Sequence, residues 1–258
     1  MIPTTTMKRA AIFTASLLFV SGLPFSLHAA EEEAPTLEHT PSQQAFLNLP
    51  EEERMQFAEI VNEAARLFQQ KRIFETLEKL HEAKRIFDGS PELMNLEASC
   101  YVEIRNFERA MEIYKKAEEL APDNPSIKFN IAEVYFVTGK WQESHDRFVE
   151  LQSDIPQENM ALGRLVEFKI LLCKIRLGEE EAANRLANKY DFLDDSPFYY
   201  YAQAALAFEE GEEVKAEEWI GRASRIFRNP QILAPWQDTL VEFGYIKSFY
   251  GGDVLGNE

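Results

Sequence analysis

Four prolines set the frame of this chain. Pro91 and Pro125 lie 34 residues apart, Pro197 and Pro230 lie 33 apart, and each opens an apolar stretch. Proline is favoured at the first position of an α-helix, where its missing N–H costs nothing. Between the prolines, apolar residues recur at i, i+3, i+4 and i+7, the spacing of one helix face. Gly139, Gly178 and Gly211 fall where one helix must turn into the next. No stretch alternates apolar and polar residues for long enough to make a strand. The expectation is an all-α chain of paired helices, repeated along its length.

The repeat has a register. In the unit from Pro91 to Asn124 the eighth, eleventh, twentieth, twenty-fourth and twenty-seventh places hold Ala98, Tyr101, Ala110, Tyr114 and Ala117. The next unit, Pro125 to Glu158, has Ala132, Tyr135, Ser144, Phe148 and Leu151 there. Phe57 to Ser90 has Ala64, Leu67, Thr76, Leu80 and Ala83, and the unit from Pro197 has Ala204, Ala207, Ala216, Ile220 and Ala223. Small residues let two helices approach, and the large ones fill the space beside them. On these residues the chain resembles tetratricopeptide (TPR) repeat proteins over residues 51–250, since a 34-residue helix–turn–helix period is their signature. The resemblance implies an all-α, TPR-type helical-hairpin solenoid. It would be a right-handed superhelix of about five repeats (57–90, 91–124, 125–158, 159–196 and 197–229, within 51–230). The fourth unit is longer than the others and puts Leu171 where a small residue is expected and Lys174 where an aromatic is.

The ends read differently. Lys8 and Arg9 precede an apolar run from Ala10 to Val20, then breakers, then Leu27-His28-Ala29-Ala30. This is the pattern of an export signal over residues 1–30, cleaved after Ala29 or Ala30. The run is too short to span a membrane, and no cysteine follows it for lipid attachment. Residues 31–50, punctuated by Pro35, Pro41 and Pro50, read as a disordered linker. After Pro230 a capping helix is expected over 231–250, stopped by Gly251-Gly252, with a tail at 251–258; end repeats need such a cap.

The chain carries 27 basic and 44 acidic residues, a net charge of −17. That balance excludes a nucleic-acid partner, which demands a basic face, and disfavours anionic lipid. Its two cysteines and four histidines are scattered. No phosphate-cradling glycine loop and no nucleophile elbow is present. We therefore expect no catalytic, metal or cofactor-binding residue and no enzyme. Acidic pairs such as Glu118-Glu119 read as solvated helix faces, and Arg222, Arg225 and Arg228 as charges suited to a helix C-terminus. Cys100 and Cys173 sit two repeats apart, too far for a disulfide, and are expected as separate buried thiols.

The TPR resemblance also implies a site. In that family the second, fifth, ninth, twelfth and thirteenth places of the first helices line a concave groove. Here such places hold Phe68, Val102, Phe129, Phe136, Phe168, Leu172, Phe198, Tyr201 and Phe208. They predict an apolar groove for a partner protein or peptide. The basic residues of a carboxylate-gripping groove are missing. The expected function is a non-catalytic protein–protein interaction scaffold of the cell envelope, periplasmic or secreted. Alternatives are an accessory or regulatory subunit of an envelope assembly, secretion or wall-synthesis machine, or a periplasmic chaperone.

Overall fold

A computed structural model describes residues 39–247 of the protein, and among them are twelve α-helices and no strand. The expected export signal, linker residues 31–38, positions 248–250 of the capping helix and the tail at 251–258 lie outside the described residues. The chain forms two compact units that divide between Asp154 and Ile155.

The first unit holds α1 (Pro41–Leu47), α2 (Glu51–Gln69), α3 (Ile73–Lys84), α4 (Pro91–Glu103), α5 (Phe107–Leu120), α6 (Pro125–Val137) and α7 (Trp141–Asp154). Helices α2–α3, α4–α5 and α6–α7 pack as hairpins, and α3 packs on α4 and α5 on α6. Local chemistry sets the starts. Ser90 accepts the Leu93 N–H at 3.1 Å with Pro91 in the first turn. Asn124 accepts the N–H groups of Ser126 and Ile127 at 3.0 and 3.3 Å ahead of α6, which opens on Pro125. Each cap satisfies a donor that has no partner inside the helix. The tight turns need a left-handed residue. Gly139 supplies one at φ 73°, but Lys71 and Arg105 take the same conformation at φ 59° and 61°.

The seams follow the repeat. Ala64, Ala83, Ala98, Ala110, Ala117 and Ala132 are buried where helices meet, with Leu80, Tyr114, Phe148 and Leu151 beside them. Ser144 donates to the Ala132 carbonyl at 3.1 Å, tying the two helices of a hairpin. The Tyr114 hydroxyl pairs with Ser99 at 2.9 Å. Tyr101 and Tyr135 are only half-buried.

The linker expectation fails at residues 41–47. Thr40 and Gln43 form a reciprocal capping box, with bonds of 3.0 and 3.2 Å, ahead of Pro41. The resulting helix, α1, sets Phe46 against Phe57 and Phe87, with ring centroids 5.2 and 5.4 Å away. Ser42 donates to the Gly89 carbonyl at 2.6 Å. A seven-residue helix with one aromatic anchor is too short to show a period.

The second unit holds α8 (Met160–Arg176), α9 (Glu180–Ala187), α10 (Phe198–Glu209), α11 (Glu213–Ile226) and α12 (Pro230–Phe243). Helices α8–α9 and α10–α11 form hairpins turned at Gly178 and Gly211, both in the left-handed region. Pro197 precedes α10 instead of opening it, and the Ser196 hydroxyl accepts the Phe198 N–H at 3.2 Å. The last helix runs from Pro230 through Pro235 and stops at Gly244, at φ 92°, well before Gly251. It packs on α8 and α11. Lys169 of α8 meets Glu242 of α12 at 3.2 Å, with side chains 2% and 3% exposed. Arg176 donates to the Phe243 carbonyl at 3.0 Å, satisfying the end of α12.

Candidate functional site

The residues expected to line an apolar groove are interior ones. Phe68, Val102, Phe129 and Phe136 are buried in the first unit. Phe129 and Phe136 reach the Phe148 ring at 5.7 and 6.4 Å, and Phe136 meets Trp141 at 5.3 Å. Phe168, Leu172, Phe198 and Tyr201 are buried in the second unit, and only Phe208 is half-exposed. There α12 and the residues just after it cover the aromatic ones. Trp236 lies 5.3 Å from Phe168, 5.6 Å from Tyr201 and 6.4 Å from Phe198, and Tyr245 stacks on Phe208 at 4.9 Å. The reason is geometric. A first helix packed between its own partner and neighbouring helices buries more than one face. These nine residues therefore offer no open apolar groove, and the surface expected of them is corrected.

An open cavity exists elsewhere, at the start of the first unit. It encloses about 490 Å³ between α1, α2 and the approach to α4. Phe46, Phe57 and Phe87 line it, and Phe57 and Phe87 are 6.0 Å apart at 75°, an edge-to-face contact. Val61 and Ala58 of α2 extend the apolar wall, and Asn62 and Glu92 stand among its polar groups. Pockets of this size and lining take an apolar anchor fixed by a few polar contacts. Next to it a shallow depression shares Ala58 and Asn62 and is lined by Glu51, Glu52 and Glu59. Met55, 67% exposed, lines that shelf as well. Two of the three glutamates, Glu51 and Glu52, open α2, where negative charge suits the helix dipole. An apolar hole beside an acidic shelf suits a segment with one large apolar side chain next to basic ones. The pattern Thr40-Pro41-x-Gln43 with Phe46 three residues on was the signal in the sequence that could have revealed this wall.

Among the described residues, the remaining chemistry-bearing side chains do not assemble a site. Cys100 and Cys173 are buried thiols that are not joined in a disulfide. Burial, helped by Glu97 and Glu103, pushes the Cys100 thiol up to about 12, which keeps it protonated and unreactive. His81 is exposed, and His145 sits 3.0 Å from Asp146, whose carboxyl that contact holds below its ordinary range. Among the described residues, no three His, Cys, Asp or Glu side chains cluster as a metal site would need. No described helix is long and apolar enough to cross a membrane.

Residues 115–154 match the family described as YpiA-like tetratricopeptide repeats. A search of curated proteins returns no match. Among solved structures, the chain is similar to PilF of Pseudomonas aeruginosa, with a TM-score of 0.54 at 15% identity over 75% of this chain and 94% of that one. It is also similar to a thermophilic TPR protein of Thermus thermophilus, with a TM-score of 0.53 at 15% identity over 72% and 99% of the two chains. A putative kinesin light chain with TPR-like repeats from Podospora anserina gives a TM-score of 0.55 at 14% identity over 70% and 100%. The hairpin repeats, the matched segment and these likenesses identify the fold as an all-α, TPR-type helical solenoid, which in general supports protein–protein interaction.

Proposed function

We propose that the protein is a non-catalytic interaction scaffold of the cell envelope that grips a partner segment at the pocket beside α1. The observation that carries the reading is that pocket: three phenylalanine rings around about 490 Å³, open beside Glu51, Glu52 and Glu59. The partner segment inserts an aromatic or aliphatic side chain and lays Lys or Arg over the acidic shelf. Burying one such side chain favours binding by about 1.5–3 kcal/mol. The export-type pattern of residues 8–30 supports the envelope as the place of work. Service to an envelope machine as an accessory subunit is a finer version of the same reading.

The test is photo-crosslinking in the native cell from a benzophenone residue placed at Ala58. The expected result is one or a few discrete protein adducts, absent when the same residue replaces Glu143 on α7. Ala58→Arg should fill the pocket mouth and weaken capture of those proteins at least about ten-fold. Identical adducts from both positions, or none from position 58, would overturn the proposal.

A further inference from the structure

One end of the second unit carries a surface that neither its core nor the pocket of the first unit explains. Short turns at Gly178 and Gly211 make α9 and α11 run back along α8 and α10. The α9–α10 loop and the junction of α11 with α12 therefore lie at the same end of the unit. Ring contacts tie that end together: Tyr190 to Phe198 at 5.2 Å, and Tyr200 to Phe227 at 6.3 Å. Four large apolar residues project from it. Phe192 and Leu193 are 64% and 74% exposed, and Ile226 and Ile232 are 55% and 46% exposed.

The loop that displays Phe192 and Leu193 is braced. The Asp191 carboxylate accepts the Leu193 N–H at 2.9 Å. Arg164 donates to Asp194 at 3.1 and 3.2 Å while its guanidinium lies 3.7 Å from the centre of the Tyr190 ring. Asp194 in turn accepts from the Ser196 N–H at 3.1 Å and from its hydroxyl. A braced loop loses little freedom when its apolar side chains are covered, so their burial is not offset by ordering.

Charge decides what covers them. Asp191 and Asp195 flank the first apolar pair, and Arg225 and Arg228 flank Ile226. Among the described residues the side chains of Arg225, Arg228 and Asp195 have no ion-pair or hydrogen-bond partner, in a chain with 44 acidic and 27 basic residues. A basic partner would leave the arginines unmatched, and an acidic partner or anionic lipid would leave the aspartates unmatched. A surface that carries both signs side by side is complementary to a copy of itself turned through a two-fold axis. We infer that this end of the second unit is a self-association face, on which the acidic Phe192–Leu193 loop of each copy meets the Arg225–Arg228 edge of a second copy.

Sedimentation equilibrium of the purified protein up to about 100 µM tests this. The expected result is a closed dimer. Leu193→Glu should raise its dissociation constant about ten- to a hundred-fold. Asp195→Arg and Arg225→Glu should each weaken it, and the two combined in one chain should restore it. All three substituted positions are exposed, and unchanged circular dichroism will show that each variant is folded. A monomer throughout this range, a dimer indifferent to these changes, a double variant as weak as the singles, or open-ended polymers would each overturn the inference.

Discussion

Phe136 touches Phe148 and Trp141 and is closed off from solvent. Replacing it with serine removes a ring from a close-packed interior and leaves a hydroxyl there, so Phe136→Ser should cost about 3–5 kcal/mol of stability. Phe74, on the outer face of α3, is 73% exposed, and Phe74→Ser should change stability by no more than about 0.5 kcal/mol. Urea denaturation of the two variants checks this, and equal midpoints would remove Phe136 from the core. The same distinction governs the small residues. Ala98 and Ala132 are buried because a larger side chain would hold two helices apart, whereas Ala58 is exposed and its replacement should bear on the pocket and not on the fold. Lys71 and Arg105 are a different case. They hold a left-handed turn that glycine fills at three other hairpins, and an L side chain pays about 1–2 kcal/mol for that conformation.

Among the elements, α12 covers the aromatic interior of the second unit. It brings Trp236 onto Phe168, Tyr201 and Phe198, and Glu242 onto Lys169. Two charges so fully removed from water are held by each other and by their surroundings. Lys169→Met should leave the Glu242 carboxylate buried without its ammonium and cost about 3–5 kcal/mol. Adding Glu242→Met should recover most of that loss, because two apolar side chains can replace a buried ion pair at little cost. Thermal denaturation of the two variants decides the matter, and a double variant no more stable than the single would show that the pair is not the cause. At the other end of the chain, α1 owes its place to the Thr40–Gln43 capping box and to Phe46, and it forms one wall of the pocket.

At the scale of the whole molecule, what was legible in the sequence was what is local. Pro91, Pro125 and Pro230 follow Ser90, Asn124 and Asn229, and each of these polar residues caps the helix that its proline opens. The alanines at the repeat's small places mark the seams because their size answers to one contact each. What was not legible depends on distant chain. Phe168 and Tyr201 look like groove residues until α12 is laid over them, and nothing near them in the sequence reports that. The pocket was missed because α1 is too short to show the periodicity by which helices are recognised. Pro197 departs from the pattern for a local reason: it takes the N-cap place, one residue ahead of the helix proper, while the Ser196 hydroxyl accepts the Phe198 N–H.

The Lys169–Glu242 pair spans 73 residues of chain, whereas Asn95 and Asn130, joined across neighbouring hairpins of the first unit, are 35 apart. Closing a longer loop costs more chain entropy before any contact rewards it, and distant contacts slow folding. The hairpins α4–α5 and α6–α7 can zip from neighbour to neighbour, while α12 finds its seat only after α8 to α11 exist. Refolding should therefore be ordered in time, with α12 last. Pulse-labelled hydrogen exchange should protect the amides of α4–α7 before those of α12, and simultaneous protection would contradict it. Until α12 arrives, Phe168, Phe198 and Tyr201 lie open on a nascent chain, and this is the interval in which the protein is most exposed to aggregation.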